Sequence, residues 1–434
     1  MFALHESQST LRNRQLVARH IGLWASFVGA TLFVGACESV ASSADGVTER
    51  DSSGVSIIAN HAQAWSNASR WHISTEPTIT TDHNSSQPLF DVRGAVRLAT
   101  GMILVANSSG NQLQLYDDSG RYVRSIGGIG SGPGEFTGLS RIWRYRGDSV
   151  LAFDIHQFRL SVFSVDGVFG RTLRLDPYGD FPLPIPVGVF PDGSVLVRSA
   201  TNSLTQDELG SVNLEMHLGE WSASGAFIQS FGTFFDREVY YFSSERGPFP
   251  NTPLLQRKSN VVSMGDQFVI ASSDKYEWRS YSRPLNLDRI VRKDHLSLEP
   301  SSSDISKLTE LVLEMATSPQ MRAEIEAEIR VMPVHETFPA FGWPALPENF
   351  WRRSVLSDLD GSLWVLEYEI PNQTPLTWTI FATDGRLQAT VDVPHNFEVF
   401  EAGIDYVLGV MRDELGTEVV QVYSLEKPGS VEDS

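Results

Sequence analysis

The chain has 434 residues, of which 41% are hydrophobic and 20% are charged, as in folded globular proteins. This length is about three times that of the commonest domain, so the chain is either several domains or one large repetitive domain. The 53 acidic residues against 34 basic residues give a formal net charge of −19, which argues against nucleic acid as a partner. The single cysteine, Cys37, excludes an intrachain disulfide and a cysteine-based zinc site.

The N-terminal segment has the pattern of a secretion signal. Three arginines within residues 12–19 precede an apolar run at 21–36, which is shorter than the about 20 residues that usually span a bilayer. The run ends in VGAC at 34–37, which resembles the lipobox of bacterial lipoproteins. The resemblance implies cleavage before Cys37, so that residues 1–36 are a signal peptide and Cys37 carries acyl chains that insert among membrane lipids. An uncleaved anchor or a buried thiol is the alternative.

Residues 37–54 are predicted to be the acylated cysteine and a flexible tether, because they are small and polar with almost no aliphatic side chains. On this interpretation the mature protein is a membrane-anchored lipoprotein of the bacterial cell envelope, either periplasmic or on the outer surface.

From residue 55 the chain repeats. Each repeat has a turn glycine, an apolar strand, a short polar stretch and a second apolar strand, and the first three repeats are 46 residues apart. Strands rich in Val, Ile, Phe, Trp and Tyr favour antiparallel sheets, and repeats of about 40 to 50 residues with four strands are typical of β-propellers. Residues 55–425 are therefore predicted to form an all-β, six-bladed β-propeller, followed by a tail at 426–434. The turn glycines are Gly101, Gly147, Gly193, Gly265, Gly361 and Gly403.

The sixth repeat reaches only its third strand, near Tyr423, so its fourth strand must come from elsewhere in the chain. Residues 71–74, upstream of the first repeat, are the best candidate. They would close the ring by pairing the two ends of the chain.

Residues 127–136, GGIGSGPGEF, closely resemble the blade-to-blade linker of bacterial six-bladed propellers related to NHL-repeat proteins. Residues 51–55 and 361–365 are similar to that family too. The resemblance implies the propeller fold and says almost nothing about activity, because propellers host unrelated functions. A phosphate-binding loop is disfavoured at this glycine run because no Lys-Ser or Lys-Thr pair follows it.

Two long connections lie on the face opposite the tight Asp-Gly turns, at residues 232–258 and 293–352. The face that carries them is predicted to be the recognition face. The second connection contains a helical insertion between blades 4 and 5, at about 300–332, with Ser303 as the N-cap of one helix and Pro319 at the start of another. The apolar stripe of the insertion predicts packing on the propeller rim, and a mobile lid is the alternative.

The sequence gives little sign of catalysis. Propellers that resemble lactonases or lyases collect carboxylates or histidines from several blades around an axial metal. At the equivalent position of the six repeats only Asp154 and Glu367 are carboxylates, and Asp154 is predicted to cap a turn. No cofactor and no metal ligand is therefore predicted. The favoured function is a module that binds a protein, a glycan or another anionic ligand through the long-loop face. The alternative is a metal-dependent, lactonase- or lyase-like hydrolytic enzyme with an axial site.

One repeat position carries an excess of positive charge. Eight residues before each turn glycine, where the inner strand begins, four of the six residues are basic in this acidic protein. Inner strands start at the recognition face, so Arg93, Arg257, Arg353 and His395 are predicted to form a cationic collar that binds a carboxylate, sulfate or phosphate. Arginines that only pair with neighbouring carboxylates are the alternative. The other two positions are Leu139 and Ile185, and Arg141, Lys258 and Arg352 lie beside the collar in sequence.

Overall fold

The structure is a computed structural model that describes residues 41–42, 46–82, 88–200, 209–243, 248–346, 349, 352–370, 374–413 and 416–428. The predicted signal peptide, Cys37 and the first part of the predicted tether lie outside the described residues.

Before the ring, the described part of the chain contains five short strands and one helix. They are β1 (Ala41–Ser42), β2 (Val47–Ser52), β3 (Val55–Asn60), α1 (Ala62–Asn67), β4 (Ser69–Ile73) and β5 (Ile79–Thr80).

Antiparallel blades follow, each running from an inner strand to an outer one. Blade 1 consists of β6 (Val92–Arg97), β7 (Ile103–Asn107), β8 (Gln112–Tyr116) and β9 (Tyr122–Gly127). Blade 2 consists of β10 (Leu139–Tyr145), β11 (Ser149–Asp154), β12 (Arg159–Phe163) and β13 (Phe169–Arg174). Blade 3 consists of β14 (Ile185–Val189), β15 (Val195–Ala200), β16 (Gly210–Trp221), β17 (Phe227–Phe242) and β18 (Phe249–Asn251).

The second half of the ring contains the helical insertion. Blade 4 consists of β19 (Ser259–Met264), β20 (Gln267–Ser272), β21 (Glu277–Ser282) and β22 (Asn286–Lys293). The insertion follows as α2 (Ser302–Leu313) and α3 (Pro319–Val331). Blade 5 consists of β23 (Val355–Ser357), β24 (Leu363–Leu366), β25 (Leu376–Phe381) and β26 (Leu387–Val393). Blade 6 consists of β27 (Phe397–Ala402), β28 (Tyr406–Arg412) and β29 (Glu418–Glu426). The predicted all-β, six-bladed propeller with a helical insertion between blades 4 and 5 is confirmed.

The core lies between adjacent blades, which explains why the second strands are apolar without interruption. In β7, Ile103 and Val105 pack with residues of blade 6, whereas Leu104 and Ala106 pack with residues of blade 2. Successive side chains of a strand point to opposite faces, and both faces of each sheet are covered by a neighbour. Tight turns join the inner strands to the second strands. Gly101, Gly193 and Gly361 in these turns have φ between 82° and 85°, a region that glycine adopts without strain.

The two ends of the chain close the ring, as the sequence predicts for residues 71–74. In the register of β29, Leu425 faces Ile73 of β4 and Val422 faces Ile79 of β5, so the outer strand of blade 6 is shared between β4 and β5. The start of β4 also runs parallel to β26 of blade 5, where Val391 faces Trp71. The N-terminal segment therefore joins blades 5 and 6.

The prediction of a flexible tether up to residue 54 is wrong for its last residues. The strands β2 and β3 form a hairpin that turns at Gly54, whose backbone N–H donates to the Asp51 carboxylate at 3.1 Å. The strand β3 pairs in parallel with β22 and covers the outer edge of blade 4, and Val47 is buried. An uncovered strand edge presents unpaired N–H and C=O groups, and β3 satisfies those of β22 while the polar strand β2 satisfies those of β3.

The predicted connection at 232–258 is wrong for its first part, which is a strand of blade 3. Residues up to Phe242 belong to β17, which pairs with β16 along a hairpin that extends beyond the length of the other strands. Gly232, where the predicted connection begins, has a φ of 90° and lies beside a register shift in the pair of strands.

The insertion packs on the rim, which favours an appendage over a lid. On α2, Leu308 is buried against Leu254 and Leu255, which follow blade 3. The predicted N-cap Ser303 is wrong, because Ser301 forms a capping box with Asp304: the Ser301 hydroxyl accepts from the Asp304 N–H, and the Asp304 carboxylate accepts from the Ser301 N–H.

Candidate functional site

A cavity of about 320 Å³ lies in the central channel and is lined from the inner strands of all six blades. Seven basic and two acidic residues are among those that line it, although the whole chain carries a formal charge of −19. The channel is therefore a positively charged site inside an acidic protein.

Most of this positive charge lies at one end of the channel, where the inner strands begin. Arg198 belongs to the same end because it lies opposite Ile185, the first residue of β14. Arg237, on the extended part of β17, forms an antiparallel backbone bridge with Lys258 just before β19. We call this group the mouth cluster: Arg141, Arg198, Arg237, Lys258, Arg352 and Arg353.

One carboxylate, Asp236, neutralises part of the mouth cluster. Its side chain is buried, and Oδ2 accepts from Nη2 of Arg198 at 3.0 Å and from Nε of Arg237 at 3.1 Å. These bonds hold two guanidinium groups of blade 3 in place, since a charge-assisted hydrogen bond is stronger and more directional than a neutral one.

Blade 5 supplies two arginines, and Trp343 positions them. The indole N–H of Trp343 donates to the Arg353 carbonyl at 2.9 Å, and the Arg352 guanidinium lies over the indole ring at 4.8 Å. Nη1 of Arg353 donates to the carbonyl of Phe400 in blade 6 at 2.9 Å. The return segment of the insertion thus builds one wall of the mouth.

Arg141 and Lys258 differ from the other cations of the mouth cluster in their side-chain contacts. Among the described residues, neither side chain has a hydrogen bond or an ion pair. Burial, and then the like charges of Arg353 and Arg198, lowers the pKa of Arg141 to about 9. Burial, and then the charge of Arg237, lowers the pKa of Lys258 to about 8, against a smaller opposing effect of Asp236. Both cations are therefore held where their charge is disfavoured.

The far end of the cavity is neutral by contrast. Nε of Arg144 donates to the Glu401 carboxylate at 2.8 Å, and the Tyr406 hydroxyl donates to the same carboxylate at 2.6 Å. This ion pair leaves the excess of positive charge at the mouth.

The structure brings only one of the four predicted collar residues to the cavity, Arg353. Arg93 pairs with Asp91 at 2.8 Å beside the mouth, and its charge acts on Arg141. Arg257 is buried and points away from the channel, with Nη2 donating to the Thr337 carbonyl at 2.8 Å. His395 is exposed and does not line the cavity.

The collar prediction was wrong at these positions because equal spacing from a turn does not give equal side-chain direction. Arg257 and His395 precede β19 and β27 and so lie outside the inner strands, and at Arg93 a register shift falls between Val92 and Gly94. One additional residue turns the next side chain to the other face. The sequence neighbours Arg141, Lys258 and Arg352 line the cavity instead.

Sequence reasoning missed Arg198, Asp236 and Arg237. Arg198 lies on a second strand, and the other two lie on the extended hairpin, which has no counterpart in the other repeats. No repeat-based signal in the sequence points to them.

The two carboxylates at the repeated strand position have structural roles. Asp154 caps a turn, since its oxygens accept from the backbone N–H groups of Thr137, His156 and Gln157 at 2.7 to 3.0 Å. Glu367 accepts from the Tyr276 hydroxyl at 2.6 Å and from Nζ of Lys293 at 2.9 Å. Within the described ranges, no group of three or more His, Cys, Asp or Glu residues is arranged to hold a metal ion.

Within the part of the chain that the structure describes, no helix is both long enough and apolar enough to span a bilayer.

Comparison with known families agrees with the fold. The family model DUF5128, described as 6-bladed beta-propeller, matches residues 81–185, which is blade 1, blade 2 and the start of blade 3. The chain is thus a six-bladed β-propeller, and the closer relation to NHL-repeat proteins stays a prediction. No curated protein matches the chain.

Solved structures of similar shape include a putative exported protein from Bacteroides fragilis, at 13% identity and a TM-score of 0.44, with 86% of this chain and 99% of that chain covered. A member of the DUF4221 family from Bacteroides vulgatus has 8% identity and a TM-score of 0.45, with 83% and 99% covered. A gluconolactonase from Xanthomonas campestris has 11% identity and a TM-score of 0.40, with 83% and 98% covered. Similarity at this level carries no conclusion about function.

Proposed function

We propose that this propeller is a lipid-anchored protein of the bacterial cell envelope that binds an anionic ligand at the mouth of its central channel. The lipobox-like sequence at 34–37 supports the anchor, and the mouth cluster supports the ligand class.

The observation that carries the proposal is the pair Arg141 and Lys258, two cations in the channel without a partner among the described residues. Both side chains are half-buried, and a charge that is only partly hydrated and has no ion pair destabilises the fold. Proteins retain such groups mainly at functional sites, where a ligand supplies the missing interaction.

Binding is favoured over catalysis by the chemistry that the mouth offers. Its arginines and its lysine present N–H donors, which fit carboxylate and phosphate oxygens. The carboxylate of the mouth, Asp236, already accepts from two arginines and so is poorly placed to act as a general base.

The proposal is tested by calorimetric titration of the purified protein with carboxylate and phosphate probes at low ionic strength. We expect one binding site per chain and an affinity that falls steeply with added salt. The variants Lys258→Met and Lys307→Met form a matched pair, because Lys307 is exposed on α2 and outside the cavity. Binding that is equally weakened in both variants, or no binding to the wild type, would contradict the proposal.

The affinity for a carboxylate probe is expected to depend on pH through Lys258. Its charged neighbours are Asp236 and Arg237, and because its pKa is lowered to about 8 it loses its proton, and its attraction for an anion, as the pH rises through that value. We expect the affinity to fall about tenfold between about pH 7 and pH 9, where carboxylates stay ionised. Titration over this range measures it, and Lys258→Met should lack the step near pH 8.

Cys37→Ala is expected to abolish acylation, since Cys37 is the single thiol of the chain and follows the lipobox-like run. Metabolic labelling with a fatty acid, followed by fractionation of the membranes, measures this. Label that persists in the variant would rule out the lipoprotein interpretation.

A further inference from the structure

We infer that the ligand is a compact anion with at least two negatively charged groups, which bridges the mouth from Arg141 to Lys258. The inference rests on the proposed anion-binding function and narrows its ligand class.

The mouth cluster has two centres of positive charge, each around a cation that has no hydrogen bond or ion pair among the described residues. Arg141 comes from blade 2 and interacts with Arg353 of blade 5, while Lys258 precedes blade 4 and is bridged through its backbone to Arg237 of blade 3. Each centre therefore combines one cation that has no hydrogen bond among the described residues with one arginine from a different blade.

The nearby carboxylates already accept hydrogen bonds from other arginines. Asp236 is shared between Arg198 and Arg237. Glu398 accepts from Arg412 at 2.9 Å and lies 3.7 Å from Arg352. Glu398 acts on the charge of Arg141, and Asp236 acts on that of Lys258, but neither carboxylate forms a hydrogen bond or an ion pair with these two cations.

A ligand with one anionic group can satisfy one of these centres and leaves the other charge uncompensated. A second anionic group on the same ligand would remove the remaining penalty without a second loss of translational freedom. A multivalent anion is consequently favoured over a monovalent one by the charge distribution itself.

The size of the cavity limits the ligand. A volume of about 320 Å³ is at the small end of ligand pockets and fits a small dicarboxylate, tricarboxylate or diphosphate group. Carboxylate and phosphate groups share the geometry that arginine forks recognise, so the experiment must separate them.

A matched series tests the inference. Butyrate, glutarate and tricarballylate carry one, two and three carboxylates on the same three-carbon chain, and inorganic phosphate and pyrophosphate form the phosphate pair. Calorimetric titration should show an affinity that rises about tenfold with each added carboxylate, or from phosphate to pyrophosphate.

The two centres are then tested separately. Arg141→Met and Lys258→Met should each reduce the preference for the multivalent over the monovalent probe by about tenfold. Arg121→Met, in the exposed turn between β8 and β9, and Lys307→Met are the matched controls and should keep the wild-type preference. Circular dichroism checks the fold, and Arg141→Gln and Lys258→Gln replace any methionine variant that fails to fold.

The outcomes separate this inference from the proposed function. Equal affinities within both series, or a reduced preference in only one of the two mouth variants, would overturn the bridging ligand and leave anion binding intact. No binding of any of the five probes would overturn both. A preference confined to pyrophosphate, and reduced in both mouth variants, would support the bridging ligand with phosphate as its anionic group.

Discussion

A chain in which Arg141 and Lys258 are both replaced by methionine is expected to lose anion binding and to melt at a higher temperature than the wild type. Each cation contributes charge-assisted hydrogen bonds worth about 1.5–3 kcal/mol to a bound anion, so the double variant should bind about 100-fold or more weakly. Calorimetric titration with tricarballylate measures the loss. Unchanged affinity would place the binding site elsewhere on the molecule.

The gain in stability has a separate cause. Because the pKa of Lys258 is lowered to about 8 in the folded protein, the charged form is less favourable there than in the unfolded chain. Methionine keeps most of the side-chain volume and removes the charge, which should stabilise the fold by about 1–3 kcal/mol and raise the melting temperature by a few degrees. Arg121→Met with Lys307→Met is the control pair. A double mouth variant that melts below this control would indicate that the cations stabilise the fold.

The same pKa predicts how stability depends on pH. Between about pH 8 and pH 9.5 the unfolded chain keeps a proton on Lys258 that the folded protein has released, so the free energy of unfolding of the wild type should rise with pH in this range. The difference between the wild type and Lys258→Met, measured by denaturant titration at each pH, isolates this contribution. A constant difference across the range would contradict the lowered pKa.

Removal of the N-terminal strands that close the ring is expected to abolish cooperative unfolding. A chain that begins at Asp82 lacks β4 and β5, so the outer edge of blade 6 is uncovered and Trp71, which packs edge-on against Trp364 at 6.2 Å, is lost. A propeller without this closure exposes a strand edge and opens its first and last blades to water. Thermal melts followed by circular dichroism measure the effect.

Two shorter truncations separate closure from other effects. A chain that begins at Val47 keeps all strands from β2 onward and should melt like a chain that begins at Glu38. A chain that begins at Ala62 loses the hairpin on blade 4 but keeps the closure, and it should melt cooperatively at a lower temperature. If the chain that begins at Asp82 melts like the one that begins at Ala62, the ring is closed in some other way.

The propeller could be predicted from the sequence because its signals are local. The buried strand β7 is apolar without interruption, and the turn before it requires a glycine at position 101. A strand and its turn repeat in each blade, so even weak copies add up to a ring of six. The closure by residues 71–74 followed from the same count, since blade 6 lacked one strand.

The hairpin that covers blade 4 could not be predicted in this way. Residues 47–54 are polar and resemble a linker. They form β2 and its turn because β2 pairs with β3, and β3 in turn pairs with the edge of β22. Their structure therefore depends, through β3, on a strand more than 200 residues away in the chain.

The candidate site also has one part that the sequence determines and another that the tertiary structure determines. The sequence by itself determined that basic residues gather where the inner strands begin, since that follows from spacing within each repeat. Only the tertiary structure decided which of them face the channel. Lys258 lines the cavity and its neighbour Arg257 points to Thr337, while Arg198, Asp236 and Arg237 reach the mouth from strands outside the repeat pattern. The direction of a side chain depends on bulges and on pairing with distant strands, and neither is recorded in the spacing of residues along one strand.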